Sequence, residues 1–91
     1  LSKSPVYIRG IGQSHPSWEF YRRPDLAASG AAQSGRLCFA SAGLQPEDVD
    51  FCEIYDCFTI VPIITLEEYG FAPRGKGGLL YQEGETRLDG R

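Results

Sequence analysis

The residues best suited to chemistry fall in one run, Asp50-Phe51-Cys52-Glu53-Ile54-Tyr55-Asp56-Cys57-Phe58-Thr59. The pattern predicts a short buried strand, Val49 to Tyr55, that turns at once into a helix. Tyr55 would then sit at the strand's carboxyl end, where open α/β sheets put their working side chains. A phenol with an ordinary pKa of about 10 is a poor base at neutral pH. It is a good hydrogen-bond or proton donor to an oxygen that gains negative charge. The plainer alternative is a tyrosine that closes the strand end, ring in the core and hydroxyl in water.

The neighbours of Tyr55 have their own two-sided readings. Cys57 falls at the start of the next helix, where the dipole can lower a thiol pKa and make a nucleophile. Its base would have to be His15, the one histidine present. A small buried hydrophobe is the more usual fate of a free cysteine. Glu53 shares a strand face with Phe51 and Tyr55 by the period of two. A buried carboxylate needs a cation or donors, and Arg36 is the available cation for a structural pair. The functional version has Glu53 orienting Tyr55. Asp56 reads as a helix cap. Gly75-Lys76-Gly77-Gly78 is phosphate-cradling in composition only. It lacks the order Gly-x-x-x-x-Gly-Lys-Ser/Thr, so a P-loop is not supported. A surface turn is the default there, with Arg74 and Lys76 touching a coenzyme phosphate as the alternative.

The elements that must position these groups follow from punctuation. Pro5 to Gly12, with Val6, Ile8 and Ile11, reads as a first strand. An aromatic-rich connection follows (Trp18, Phe20, Tyr21), with His15-Pro16 as a turn. A helix is expected from Pro24-Asp25 to Gly43. Arg36 is its only charge from Leu26 to Leu44, and Gly30 and Gly35 lie inside it. Small side chains allow close neighbours, so this helix should be covered on more than one side. Gln45-Pro46-Glu47-Asp48 turns into the second strand. The next helix, capped by Asp56 or Thr59, runs to Tyr69 and stops at Gly70, with Pro62 in its first turn or at a kink. Beyond Phe71 a flexible glycine-rich loop and a polar tail are expected. The order strand, helix, strand, helix gives an α/β class in which two strands alone cannot make a stable sheet.

Composition narrows the function classes. A hydrophobic content of 42% in 91 residues suits one small globular unit rather than a disordered chain. A net charge of −3 with no long basic run speaks against nucleic acid. Pro62 and Glu67-Glu68 interrupt the longest apolar stretch, well short of the ~18 residues of a membrane span. Cys38, Cys52 and Cys57 are odd in number and lack zinc spacing, so free thiols in a reducing, cytoplasmic setting are expected, with no metal. Neither methionine nor an N-terminal leader opens the chain at Leu1, and it reads as part of something longer.

The run from Ala42 to Asp50 with Glu53-Ile54-Tyr55-Asp56-Cys57-Phe58-Thr59 resembles the carboxyl-terminal half of the thiolase superfamily. The similarity is greatest to its sterol-carrier or lipid-transfer branch, also known as acetyl-CoA acetyltransferases. Pro5 to Gly12, Gly70-Phe71, Gly75-Lys76-Gly77-Gly78, Gly84 and Leu88-Asp89-Gly90 extend the match over nearly the whole chain, so that residues 1–91 are expected to be part of that carboxyl-terminal domain. The resemblance implies a layered α-β-α-β-α fold in the intact enzyme, a homodimer, and a coenzyme A thioester as substrate with no bound cofactor. It implies carbon–carbon bond formation or cleavage beside that thioester. Tyr55 stands at the one catalytic position within these residues, where the family signature, Asn-Glu-Ala-Phe or His-Asp-Cys-Phe, has asparagine or histidine. None of the three cysteines matches a family cysteine, so these residues alone are expected to be inactive. Some relatives are retro-aldolases of 3-hydroxyacyl-CoA that use tyrosines and a small OB-fold partner. A non-catalytic acyl-CoA-binding subunit is the remaining alternative.

Overall fold

Each helix of this computed structural model stops at a glycine, for one physical reason. The helices are α1 (Ala31–Ala42), α2 (Ile60–Glu68) and α3 (Gly77–Gln82), with 3-10 turns at Phe20–Arg22 and Pro46–Asp48. The structure describes residues 3–17 and 19–90, so Trp18 of the aromatic connection lies outside them. Gly43, Gly70 and Gly84 have φ of 69°, 90° and 82°, a left-handed turn that a Cβ disfavours. That turn swings the following amide back over the last helical turn. Leu44, Phe71 and Glu85 then donate to the carbonyls of Phe39, Leu66 and Leu80 at 3.1, 3.0 and 2.9 Å. These bonds satisfy carbonyls that a helix end otherwise leaves open.

The helix starts are less regular. Pro62 is the third residue of α2, inside the first turn, where its missing N–H removes no helical bond. The first long helix begins at Ala31 rather than at Pro24-Asp25. Asp25 is engaged in a separate turn, where its carboxylate accepts the Ala27 N–H at 2.9 Å. Ser29 marks the true start, its Oγ accepting the Ala31 N–H at 3.1 Å.

Helix α2 is the centre of the packing, with α1 and α3 both against it. Leu66 and Ala72 are the buried hydrophobic residues among those described, at 5% and 8% exposure, with Thr65 buried beside them. Phe39 and Phe71 meet edge to face, ring centres 6.5 Å apart. The expectation that α1 is covered on more than one side is met. Gly35 is buried, and a Cβ there would lie 2.7 Å from the Tyr69 ring. Elsewhere on α1, Gly12 approaches the Ser34 carbonyl too closely for any side chain.

The strand-helix-strand-helix reading is wrong for this structure: no residue among those described is in a strand. A strand exists only through a ladder of hydrogen bonds to a neighbour about 4.8 Å away. Neither candidate segment takes part in such a ladder. Residues 10–12 lie against α1 instead, where Ile11 N–H donates to Ser41 Oγ at 3.1 Å. Residues 49–54 edge a cleft shared with Leu66, Phe71 and Leu80. Their apolar side chains are consequently open to solvent, with Val6 96%, Ile8 83% and Phe51 81% exposed. The expected loop after Phe71 also needs correction, because it contains α3.

Candidate functional site

The two ends of α2 hold the chemistry-bearing side chains. At its amino end the chain arrives through Tyr55, Asp56 and Cys57, all exposed, with Tyr55 at 81%. Thr59 immediately precedes the helix and makes no capping hydrogen bond. The positive end of the α2 dipole is therefore directed toward this approach segment. Cys57 lines an apolar cleft of about 660 Å³ together with Leu26, Phe58, Val61 and Ile64. Arg23 and Ser29 supply its polar side.

The other residues singled out by sequence are placed elsewhere. His15 is exposed, its Nε2 lying 2.7 Å from Gln13 Nε2, and it does not line the cleft that holds Cys57. The structure does not bring the Cys57–His15 pair together there. Glu53 and Arg36 are both exposed, and neither ion pair among the described residues includes them. The reading of Glu53 as a buried, paired carboxylate does not hold, because the strand that would have buried it is not formed. Cys52 is exposed as a residue, though burial of its thiol pushes the pKa up, toward the unreactive neutral form. No group of three or more His, Cys, Asp or Glu among the described residues is arranged to hold a metal ion. No helix among them is long and apolar enough to cross a membrane.

At the carboxyl end of α2 the side chains are engaged with one another. Glu68 reaches the turn before α1, where Oε1 accepts the Ser29 N–H at 2.7 Å and Oε2 accepts its hydroxyl. Glu67 reaches the glycine-rich loop, where Oε1 accepts the Gly77 N–H at 2.9 Å. The backbone amides of Gly75 and Gly77 hold the Glu67 carboxyl below its usual range. Arg74 is ion-paired with Asp25, which lowers the Asp25 pKa and raises that of Arg74. Lys76 stays exposed, its backbone N–H donating to the Pro73 carbonyl at 2.9 Å. Of the two cations expected at a phosphate, Arg74 is thus bound within the chain and Lys76 is exposed.

Sequence reasoning missed Glu67, Glu68, Asp25 and Ser29. One signal was available. Two adjacent carboxylates in a helix's last turn oppose its dipole, and such residues need donors from another element.

With this geometry in view, residues 12–91 match the family model described as thiolase C-terminal domain-like. The acetyl-CoA acetyltransferase of Methanothermobacter thermautotrophicus is 35% identical over 96% of this chain and 23% of its own length. Sterol carrier protein 2 of Oryctolagus cuniculus is 37% identical over 65% of this chain and 11% of its own. A solved structure titled Ltp2-ChsH2(DUF35) aldolase superposes with a TM-score of 0.79 at 27% identity, covering 89% of this chain and 22% of that one. The chain therefore spans less than a quarter of the length of these proteins.

Proposed function

The chain belongs to the thiolase C-terminal domain-like family, and on that premise we propose that it supplies part of an active site working beside an acyl-CoA thioester. The reaction we assign to the whole protein is acyl transfer of the acetyl-CoA acetyltransferase type. In it a carbon–carbon bond next to the thioester carbonyl is formed or broken. In the cleavage direction a nucleophile from the remainder of the protein first adds to the 3-keto carbon and keeps the acyl group, which then passes to the thiol of free CoA. As the carbon–carbon bond breaks, its electron pair passes onto the thioester as an enolate, whose oxygen carries the negative charge until carbon takes a proton.

Tyr55 is the residue proposed to stabilise that oxygen. The observation that carries the reading is its presentation: Tyr55 is 81% exposed, at the family's motif position, on the approach to the uncapped amino end of α2. The phenol O–H donates to the enolate oxygen, and the helix dipole adds a favourable field over the first turn. Tyrosine offers a donor with longer reach than asparagine and no neutral imidazole acceptor. Lys76 is the cation proposed for the coenzyme's phosphate, since Arg74 is held by Asp25.

A second reading is favoured by Tyr55 itself and by the aldolase among the structural relatives. In retro-aldol cleavage of a 3-hydroxyacyl-CoA, the hydroxyl loses its proton, the bond between the second and third carbons breaks, and a ketone leaves. The thioester is again left as an enolate, so a donor at Tyr55 serves both reactions.

Product analysis separates them. The full-length protein is incubated with a 3-ketoacyl-CoA and free CoA, and separately with a branched 3-hydroxyacyl-CoA, together with any small partner protein. Chain shortening of the first establishes acyl transfer, and ketone release from the second establishes the aldolase. Acyl-CoA binding without either product would refute both and leave a non-catalytic subunit.

A further inference from the structure

Glu67 is unusual in where its charge is used. Its helix position faces the negative end of a dipole, yet its side chain crosses to the next loop and accepts the Gly77 backbone amide. Gly77 is the first residue of α3 and lies in the 73–78 segment, which carries Arg74 and Lys76. At the point of attachment the packing is tight. Gly77 is buried, and a Cβ there would stand 2.5 Å from the Ile63 carbonyl oxygen and 2.9 Å from Glu67 Cγ. Glycine alone lets the loop come close enough for the bond. The charged group that bears on the Glu67 carboxyl is Arg74 of the loop, which is itself paired with Asp25 and also feels Glu68.

We propose that Glu67 is an ionisation-dependent latch that fastens the 73–78 loop and α3 to α2, closed while its carboxylate is charged and open when it is neutral. Amides bond a carboxylate roughly twice as strongly as a neutral acceptor, so neutralising Glu67 weakens the attachment at its contact with Gly77. The sign follows from the direction of the shift. Because the folded carboxyl is held below the ordinary glutamate range, its contribution is complete above that range and is lost as pH falls through the lower folded value. Asp25, also held low, titrates in the same acid region, whereas Arg74 stays charged throughout. The latch stands on this geometry whatever reaction the protein performs.

The test is residue-resolved amide hydrogen exchange by NMR on the protein as pH is lowered stepwise from 7 through and below the ordinary carboxylate range, expressed as protection relative to the unstructured rate. Gly77 protection is expected to fall about tenfold on acidification, the scale of one lost charged hydrogen bond. Leu44, which donates to Phe39 at the far end of α1, should not change. Glu67→Gln should show the low protection already at pH 7 and no pH dependence. Asp25→Asn should keep the wild-type fall. The proposal is overturned if Glu67→Gln retains the wild-type pH dependence, if Asp25→Asn abolishes it, or if Leu44 loses protection in step with Gly77.

Discussion

The two ends of α2 obey opposite rules. At the carboxyl end, Glu67 and Glu68 each satisfy a backbone amide of another segment, and buried Leu66 and Thr65 lie alongside. At the amino end, Thr59 caps nothing, and Tyr55 and Phe58 are 81% and 72% exposed. One end of the helix spends its polar groups on its own fold, and the other presents them outward. The lesson is a division of labour across one short helix and its approach segment: groups that have found partners in the chain hold the fold, and the groups at the other end stay exposed.

Substitutions at the two ends should therefore separate stability from turnover. The largest expected loss of stability is from Leu66→Ala, about 2–5 kcal/mol for a truncated core side chain, read as a lowered denaturation midpoint. A midpoint unchanged within error would mean that the packed end of α2 is not where stability resides. Tyr55→Phe should lower turnover of the full-length protein about 10²-fold, equivalent to about 2.7 kcal/mol of barrier, while leaving the melting temperature in place. Full turnover in that variant would remove Tyr55 from the chemistry. Glu68→Ala removes the acceptor for both Ser29 groups and should cost about 1–2 kcal/mol, measured by chemical denaturation.

The smallest effect concerns pH. Glu67 and Asp25 are both held below their ordinary pKa values, so each stabilises the fold above the normal carboxylate range. Melting temperature should be level from pH 7 to about 5, then decline as pH drops through the carboxylate range. Both groups lie at the surface, and the Arg74–Asp25 pair is well exposed, so the decline is shallow and weakens further in salt. A melting temperature that rises on acidification would reverse the sign and contradict the assigned pairings.

Some of this was legible from residue order alone. Gly43 and Gly70 marked helix ends because a left-handed residue is a local requirement, independent of what the rest of the molecule does. Pro62 was limited to a first turn or a kink for the same kind of reason, and only the structure places it in the first turn. Tyr55 was identified as the residue of interest from a run of neighbours, and the family from motifs spread along the chain. Gly35 and the other small residues of α1 announced close packing, though not that Tyr69 would be the group packed there.

What only the tertiary structure decided is everything that depends on a partner distant in sequence. Alternation in residues 5–12 and 49–55 describes which side chains could share a face, but a strand needs a neighbour to bond with, and neither segment has one here. The partners of Glu67, Glu68 and Arg74 lie 10, 39 and 49 residues away. Local order carries dihedral preference and helix punctuation, because those energies act over a few residues. Pairing of carboxylates with amides and cations is set by the way the helices dock, and it alone determined which charged groups this protein keeps for itself and which it presents.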